Sequence, residues 1–298
     1  GVKYLCNMKK SYIDYRALAM DILRGQWLIQ ETPALRQAAR DFLNKRAVNF
    51  GDSSDEGPKA VLCTMKGDSY GADTASENLP VQENLVLIVP MHGVLTKYDN
   101  CIGCATMEVA DTLEAFRDRE DICGFILDID SPGGAVNAIM PVVEQIKKIQ
   151  EAGKPIIAHV DQCCSAAYWI ASQTDAIFAD NIMSSLGSIG AYYSFIDDRE
   201  NKQTGERVVD IYAPESTEKN RSYREALDGK PELAQKELSE TVQKFIAAVK
   251  AGRPDIDADA PGVMSGAVFE AAKAVDLGLA NAVMGIDSCI ENVFVRAN

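Results

Sequence analysis

The chain is poor in histidine and in positive charge, and both shortages exclude some classes of partner and of catalytic group. Its 298 residues include 44 aspartates and glutamates against 30 lysines and arginines, which gives a net charge of -14. Binding to nucleic acid or to an anionic membrane surface needs clustered basic residues, so neither is expected as the main partner. The only histidines are His92 and His159, which restricts the groups that could act as a general base near neutral pH.

Long apolar runs are also missing. No stretch of about 18 apolar residues occurs, so no membrane-spanning helix is predicted. The first residues lack the basic-then-apolar order of a secretory signal, and a cytoplasmic protein is expected. The eight cysteines should then be reduced thiols. Cys101 and Cys104 form one isolated CxxC pair without a second pair or a nearby histidine, so no metal or other cofactor is predicted.

Three regions are predicted along the chain. Residues 1–50 are expected to form an N-terminal helical extension, because apolar residues that include Trp27 and Leu28 recur there at helical spacing. Residues 51–80 are polar and rich in Gly, Ser and Asp, which is typical of a linker. Residues 81–298 are expected to form one larger domain.

Within that domain, short apolar runs alternate with segments of helical periodicity. Strands are predicted at Leu85–Val89, Gly124–Ile129, Pro155–Val160 and Ala176–Ala179, and a helix follows each of the first three. Strands that alternate with helices of about 10 to 15 residues form β-α-β units, which place parallel strands in one sheet. The predicted fold class is therefore α/β with a mainly parallel sheet.

Three segments rich in small residues follow predicted strands. Asp130–Gly134 ends in two glycines before a helix, a geometry that suits an oxyanion hole made of backbone amides. Asp161–Tyr168 places Ser165 at the start of a helix, where the helix dipole favours an alkoxide or an adjacent oxyanion. Ser184–Gly190 includes Ser188, which could hydrogen-bond a catalytic group. Taken separately, the three also fit a tight turn, an N-cap serine and a structural turn.

A nucleophilic serine needs a base. Both histidines precede Ser165, which excludes a catalytic order with the histidine after the serine. His159 lies in the strand leading into Ser165, where a side chain usually points into the core, and His92 is expected to be structural or exposed. A lysine therefore becomes the natural candidate. Cys163 and Cys164 are alternative nucleophiles, although their side chains should point away if the helix begins at Ser165.

Five short motifs in a fixed order resemble the signal-peptide-peptidase family of Ser–Lys serine peptidases, which includes phage head-maturation proteases. The resemblance runs from about Leu85 to Val283. It implies a crotonase- or Clp-protease-like fold of repeated β-β-α units. The matching segments are Asp130–Gly134, Ser165–Ala171 with Asp175, Gly187–Gly190, Ser216–Asn220, and Ser265–Phe269 with Asp276–Leu279.

Carried over position by position, the resemblance assigns roles to individual residues. It implies that Ser165 is the nucleophile and that Lys219 is the general base. Ser188 would orient the lysine, and the backbone amides of Gly134 and Ala166 would donate to the oxyanion.

The segment around the lysine departs from the family. Asn220 follows Lys219 where the family commonly has aspartate, and Lys202 and Lys230 remain alternative bases. An ordinary lysine, with a pKa near 10.4, is neutral in only about one molecule in 2,500 at pH 7. Lowering that pKa to about 7 takes burial worth roughly 4 kcal/mol, so folding or assembly must bury the amine. In related peptidases a neighbouring subunit can supply the lysine, and a homo-oligomer is therefore expected.

The resemblance implies a serine endopeptidase that hydrolyses peptide or protein substrates through an acyl-enzyme. An N-terminal extension without a predicted anchor is more similar to the phage branch, so processing of phage or prophage capsid or scaffold proteins is expected, with capsid or portal partners in a prohead. The alternatives are a soluble housekeeping peptidase of the signal-peptide-peptidase type, a crotonase-like acyl-CoA enzyme, and a non-catalytic capsid-assembly scaffold of the same fold.

Overall fold

The computed structural model describes residues 26–29, 59–65, 68–72, 84–98, 103–194, 197, 199–200, 205, 207 and 209–298. Strands and helices alternate through the middle of the chain, and helices dominate its last third. The described strands are β1 (Gln26–Ile29), β2 (Val61–Cys63), β3 (Ser69–Gly71), β4 (Leu85–His92), β5 (Val94–Thr96), β6 (Gly103–Ala105), β7 (Ile122–Ser131), β8 (Gly133–Ala135), β9 (Ile156–Cys164), β10 (Ala176–Ala179), β11 (Ser185–Gly187), β12 (Tyr192–Tyr193), β13 (Val268–Glu270) and β14 (Ala282–Val283). The described α-helices are α1 (Thr106–Arg117), α2 (Ile139–Glu151), α3 (Ala166–Ala171), α4 (Arg221–Leu227), α5 (Glu232–Gly252), α6 (Ala271–Asp276) and α7 (Ile286–Ala297).

Nine of the described strands form the larger sheet. Its order is β13-β11-β9-β7-β4-β2-β3, with β10 beside β9 and β14 beside β10. The pairs β4–β7, β7–β9, β9–β10, β9–β11 and β10–β14 are parallel. Antiparallel pairing is confined to β2, β3 and β13 at the margins. The predicted α/β class with a mainly parallel sheet is confirmed.

The central strands are almost continuously apolar because both faces of the sheet are covered. Alternate residues of a strand point to opposite faces. Leu85 and Leu87 therefore pack with α1, α2 and α3 in the main core, whereas Val86 packs with α7 on the other face. On α2, the buried residues Ile139, Val142, Val143, Ile146 and Ile149 follow the spacing of an amphipathic helix.

A smaller sheet of five strands has the order β12-β1-β8-β5-β6. The chain passes from the larger sheet into the smaller one at Gly93, between β4 and β5, and at Gly133, where β8 begins. Both glycines have positive φ, 87° and 104°, a conformation that glycine adopts without steric cost. These two turns bring β8 beside β5, with Gly134 opposite Leu95.

The structure differs from the sequence expectations in two places. Residues Gln26–Ile29 form a strand and not part of a helix, because β8 and β12 supply backbone partners on both sides and tertiary pairing outweighs the helical spacing of the sequence. Within the expected linker 51–80, Val61–Cys63 pairs with β4 on one side and with Ser69–Gly71 on the other.

The other residues of the expected extension 1–50 lie outside the described part of the chain, and the division at residues 50 and 80 stays a prediction. Among the helices that the structure describes, none is long and apolar enough to cross a membrane.

Candidate active site

The three segments that stand out in the sequence meet at one edge of the larger sheet. They follow β7, β9 and β11, which are parallel neighbours, so their carboxyl ends lie side by side. Ser131 is in register with Cys163, and Gly187 with Cys164. Strand β8 packs against α3. We call residues 131–134, 163–166 and 187–190 together the serine edge.

Ser165 occupies a sharp turn between β9 and α3. Its φ is 57° and its ψ is -118°, a conformation that is strained for a residue with a side chain. The Ser165 amide donates to the Gly187 carbonyl at 2.8 Å, and the Ser165 carbonyl accepts from the Trp169 amide at 2.9 Å. Ser165 is 2% exposed. The surrounding core therefore holds a strained serine in place.

The hydroxyl of Ser165 does not act as a helix cap. No side-chain cap hydrogen bond is present at the start of α3, so the structure does not support reading Ser165 as an ordinary N-cap serine. Its Oγ instead donates to the Gly190 carbonyl at 3.4 Å. The Ser165 hydroxyl thus does not cap the helix and is directed toward the segment after β11. It remains available for chemistry.

Gly134 is a position where only glycine fits. A Cβ built there would lie 1.9 Å from the Leu95 carbonyl oxygen, which is backbone and cannot move aside. The preceding turn is held by Ser131, whose Oγ donates to the Gly93 carbonyl at 2.6 Å and accepts from the Gly133 amide at 3.1 Å. This packing places the glycine backbone of β8 at the serine edge. The predicted role of Gly134 as an oxyanion donor requires a backbone amide at this place.

The other predicted oxyanion donor and the predicted orienting serine also lie at the serine edge. Ala166 is fully buried at the first position of α3. Ser188 is half-buried, follows β11 directly and has a φ of 53°. Its amide donates to the Ala267 carbonyl at 2.7 Å. The fold thus brings together four of the five predicted site residues.

Lys219 is the fifth, and it lies on the surface. It is exposed, in a turn where its amide donates to the Ser216 carbonyl at 3.2 Å. Within the described residues, no hydrogen bond joins Lys219 to Ser165 or Ser188. Lys230 is exposed as well, and Lys202 lies outside the described residues. We call residues 209–220 the lysine segment.

The lysine segment is held by local contacts. Arg224, on α4, donates to the Thr217 carbonyl at 2.6 Å, and its guanidinium lies 4.6 Å from the ring centroid of Tyr212. Asn220 precedes α4 with a φ of 54°, which asparagine tolerates better than most residues. Ile211 is 92% exposed and Val209 is 76% exposed, so the segment presents apolar side chains to solvent.

His159 is not placed to act as a base. Its Nδ1 lies 2.8 Å from Asp128 Oδ1 and its Nε2 lies 3.0 Å from Asp180 Oδ1. Carboxylates accept hydrogen bonds, so both ring nitrogens must donate, and the ring is favoured as a cation. Burial acts to lower the pKa of His159, but the hydrogen bonds and charges of the two aspartates outweigh it and raise the pKa.

His92 belongs to the same cluster and not to the serine edge. Its Nε2 lies 3.1 Å from Asp128 Oδ2, and that hydrogen bond raises the pKa of His92. Burial acts to raise the pKa of Asp128, but its hydrogen bonds with both histidines prevail and hold that pKa well below the usual range. The two histidines therefore have structural partners, in agreement with the structural role expected of them.

The cysteines near Ser165 are poor nucleophiles. Burial raises the pKa of Cys164 to about 12 and also raises the pKa of Cys163 well above its usual value. The thiolate is the reactive form, so neither thiol is activated. The described residues include no group of three or more His, Cys, Asp or Glu side chains that could hold a metal, and Cys101 lies outside them.

One residue that supports the site had no signal in the sequence. Arg253, after α5, is buried and donates to the carbonyls of Ala171 and Thr174. These are carbonyls at the carboxyl end of α3, which have no partners within the helix. Beside it, a Cβ at Gly252 would lie 2.0 Å from the Ser172 carbonyl oxygen. Both residues anchor the helix that follows Ser165, and only the packing of α5 reveals this.

A strained serine at a strand-to-helix turn, beside bare backbone on an α/β fold, is typical of hydrolases that attack a carbonyl with a serine hydroxyl. Comparison with known proteins gives the family. The profile of peptidase family S49 matches residues 148–297, half of the chain, and the chain belongs to this family. The peptidase resemblance inferred from the motifs is therefore confirmed at the family level.

Two curated relatives are similar over part of the chain. The head-tail preconnector protein GP5 of Enterobacteria phage P21 is 26% identical over 206 residues, which is 68% of this chain and 39% of that protein. Protease 4 of Haemophilus influenzae is 33% identical over 88 residues, which is 29% of this chain and 14% of that protein. The chain thus spans less than half the length of either relative.

Among solved structures, two mutants of the 1510-N membrane-bound stomatin-specific protease overlap with this chain. A lysine-to-alanine mutant with a substrate peptide has a TM-score of 0.39 and 17% identity, covering 69% of this chain and 77% of that one. A serine-to-alanine mutant has a TM-score of 0.37 and 19% identity, covering 72% of this chain and 85% of that one. These TM-scores are too low for either structure to indicate a function.

Proposed function

We propose that this chain is a serine endopeptidase with Ser165 as nucleophile and Lys219 as general base. The observation that carries the proposal is Ser165 itself. It is held by the core in a strained turn, its hydroxyl is not used as a helix cap, and it lies beside the glycine strand β8. Strained backbone at a residue whose side chain does not cap the helix is a pointer to function.

The reaction proceeds in two stages. Ser165 Oγ attacks the carbonyl carbon of the scissile peptide bond while its proton moves to the neutral amine of Lys219. The amides of Gly134 and Ala166 donate to the tetrahedral oxyanion. The lysine then protonates the leaving amine, and an acyl-enzyme remains on Ser165. The same lysine then takes a proton from water as the water oxygen attacks the ester carbon. When the bond from that carbon to Ser165 Oγ breaks, the lysine returns the proton to Ser165 Oγ.

Lys219 can take this role only if assembly buries it. In a single chain it is exposed, and water favours the charged form of an amine, which cannot accept a proton. Exposed Val209 and Ile211 in the lysine segment supply apolar surface that a second copy of the chain would cover. A homo-oligomer in which this segment packs against the serine edge of a neighbour is therefore part of the proposal.

The substrate class follows from the phage relative. The similarity to a head-tail preconnector protein covers 68% of this chain, which supports a phage or prophage capsid or scaffold protein as substrate and a prohead as the place of action. A soluble housekeeping peptidase would share the chemistry but would act on peptides without a phage structural protein.

A second candidate function is a non-catalytic assembly scaffold of the same fold. The exposure of Lys219 in a single chain, without a hydrogen bond to Ser165 among the described residues, is the observation that favours it. The two candidates differ in whether Ser165 is reactive in the assembled protein.

A serine-directed fluorophosphonate probe separates the two. The proposal expects labelling of Ser165 in the concentrated full chain, with loss in Ser165→Ala and in Lys219→Ala. Lys236→Ala is the matched control, since Lys236 is an exposed lysine on α5, and this variant should be labelled normally. A folded chain that no probe labels at any concentration would favour the scaffold.

A further inference from the structure

The strand β1 lies between the two strands that flank the reactive serine. It pairs antiparallel with β8 on one side, with Leu28 opposite Gly134, and antiparallel with β12 on the other, with Trp27 opposite Tyr192. A four-residue segment from early in the chain thus completes the smaller sheet, whose order is β12-β1-β8-β5-β6.

Both neighbours of β1 belong to the surroundings of Ser165. Strand β8 contains Gly134, a proposed oxyanion donor, and packs against α3. Strand β12 directly follows the turn that ends at Gly190, whose carbonyl accepts from Ser165 Oγ. The slot filled by β1 is therefore bounded on one side by a strand that packs against the helix after Ser165, and on the other by a strand that closely follows the carbonyl bonded to the Ser165 hydroxyl.

The slot has the width of one extended peptide. Adjacent strands lie about 4.8 Å apart, so β8 and β12 present facing edges roughly 10 Å apart. Without β1, each edge would leave backbone donors and acceptors unpaired. An extended peptide that enters such a slot forms main-chain hydrogen bonds on both sides, which is strand addition, and needs no particular side chains to do so.

We infer that Gln26–Ile29 occupies the peptide-binding slot of the enzyme as a cis-acting inhibitory strand. The inference rests on the proposed function, since it takes Ser165 and Gly134 as the reactive site. The residue opposite Leu28 is the glycine proposed to stabilise the oxyanion, so β1 and a substrate cannot use the same stretch of β8 together. An extended protein segment must displace β1 before it is cleaved.

The strength of this competition follows from tethering. A segment in the same chain acts at an effective concentration of about 1 mM or above, even when its intrinsic affinity is modest. If the slot is open in roughly one molecule in ten, peptides bind about tenfold more weakly than to an empty slot. Substrates held at high local density, as in an assembled particle, would overcome this barrier, whereas dilute peptides would not.

The test measures peptide binding in the full chain with Ser165→Ala, which removes turnover. The probe is a fluorescein-labelled peptide that copies residues 25–31. Adding Leu28→Pro removes a backbone donor from a strand that is paired on both edges, so β1 should leave the slot. The expected result is about tenfold tighter binding of the probe. Leu28→Ala keeps the backbone donor and is the matched control, with a smaller gain than proline.

Amide hydrogen exchange provides a measurement that needs no destabilising variant. Addition of the unlabelled peptide to the Ser165→Ala chain should speed exchange at Gln26–Ile29, because the peptide takes their place, while the amides of β8 stay protected. Unchanged protection of Gln26–Ile29 at saturating peptide would show that β1 is a permanent strand and would overturn the inference. Equal probe affinity in folded Leu28→Pro and its parent would do the same.

These measurements are independent of catalysis. If Ser165 is not the nucleophile, fluorophosphonate labelling fails while displacement of β1 by peptide persists. If β1 is a permanent strand, labelling succeeds while Gln26–Ile29 stays protected.

Discussion

The serine edge and the lysine segment are built in opposite ways. Ser165 is 2% exposed, and both its backbone and its hydroxyl bond to the segment at residues 187–190. Lys219 is exposed. Its segment is held locally by Arg224 of α4, which contacts Thr217 and Tyr212. One chain thus holds the proposed nucleophile in a fixed position and leaves the proposed base in water. Under the proposed mechanism, folding builds the serine half of the site and assembly must complete the lysine half.

The largest expected effect is the dependence of reactivity on protein concentration. In an isolated chain the amine of Lys219 lies in water, which favours its charged form over the neutral form that a general base needs. The rate of Ser165 labelling should therefore fall by about three orders of magnitude when dilution separates the subunits. Labelling rates are measured across a dilution series with sedimentation of the same samples. A monomer that is labelled at the full rate would contradict the contrast between the two regions.

The next largest effect is a loss of stability when Gly134, in the serine edge, is substituted. Gly134→Ala places a Cβ 1.9 Å from the Leu95 carbonyl oxygen, so the backbone must shift, and the free energy of unfolding should fall by about 3 kcal/mol. Gly285→Ala is the matched control. A Cβ at Gly285 meets nothing within 4 Å and its φ is -69°, so the expected change is within about 0.5 kcal/mol. Urea unfolding of both variants measures the difference, and equal stabilities would show that β8 is not tightly held.

A third effect concerns the histidine cluster, in which His159 is buried between the partly exposed Asp128 and Asp180. His159→Gln leaves Asp128 and Asp180 facing each other without a cation, which should cost about 1–3 kcal/mol near pH 6. Because folding raises the pKa of His159, its contribution is complete below the unfolded value of about 6.5 and is lost as pH rises through the folded value.

The stability difference between the parent and His159→Gln should therefore shrink as pH increases above about 6.5. The lowered pKa of Asp128 acts in the other direction, since its contribution is present above about 3.9 and is lost only as pH falls through the lower folded value. His92→Gln is the comparison, with a smaller effect because His92 has one aspartate partner. A difference that is constant between pH 5 and 9 would argue against a charged His159.

The larger sheet and the serine edge were predictable from the sequence because their signals lie in short stretches of neighbouring residues. Apolar runs and helical spacing depend on neighbouring residues, and they located β4, β7, β9, β10 and the helices between them. The small-residue motifs located Ser165, Gly134 and Ser188, because tight turns and close backbone approach select small residues at those positions.

Features that depend on distant pairing were not predictable in this way. Helical spacing around Trp27 gave no sign that β8 and β12 would pair with β1. The contact of His159 with Asp128 follows from the register of β7 against β9, and the role of Arg253 follows from the packing of α5 against α3. Each needs two segments far apart in sequence to be placed before its chemistry is visible.

The smallest expected effect tests whether the lysine segment has a fixed shape. Asn220 adopts a φ of 54°, which glycine accepts freely and alanine accepts at a cost of about 1 kcal/mol. Because the lysine segment is exposed and locally held, the cost should appear as faster amide exchange in α4 and not as a lower global stability. Asn220→Ala should therefore raise exchange in α4 about fivefold, while Asn220→Gly stays closer to the parent. If the two variants behave alike, the turn is not held in the left-handed conformation, and a neighbouring subunit would have to orient Lys219 as well as bury it.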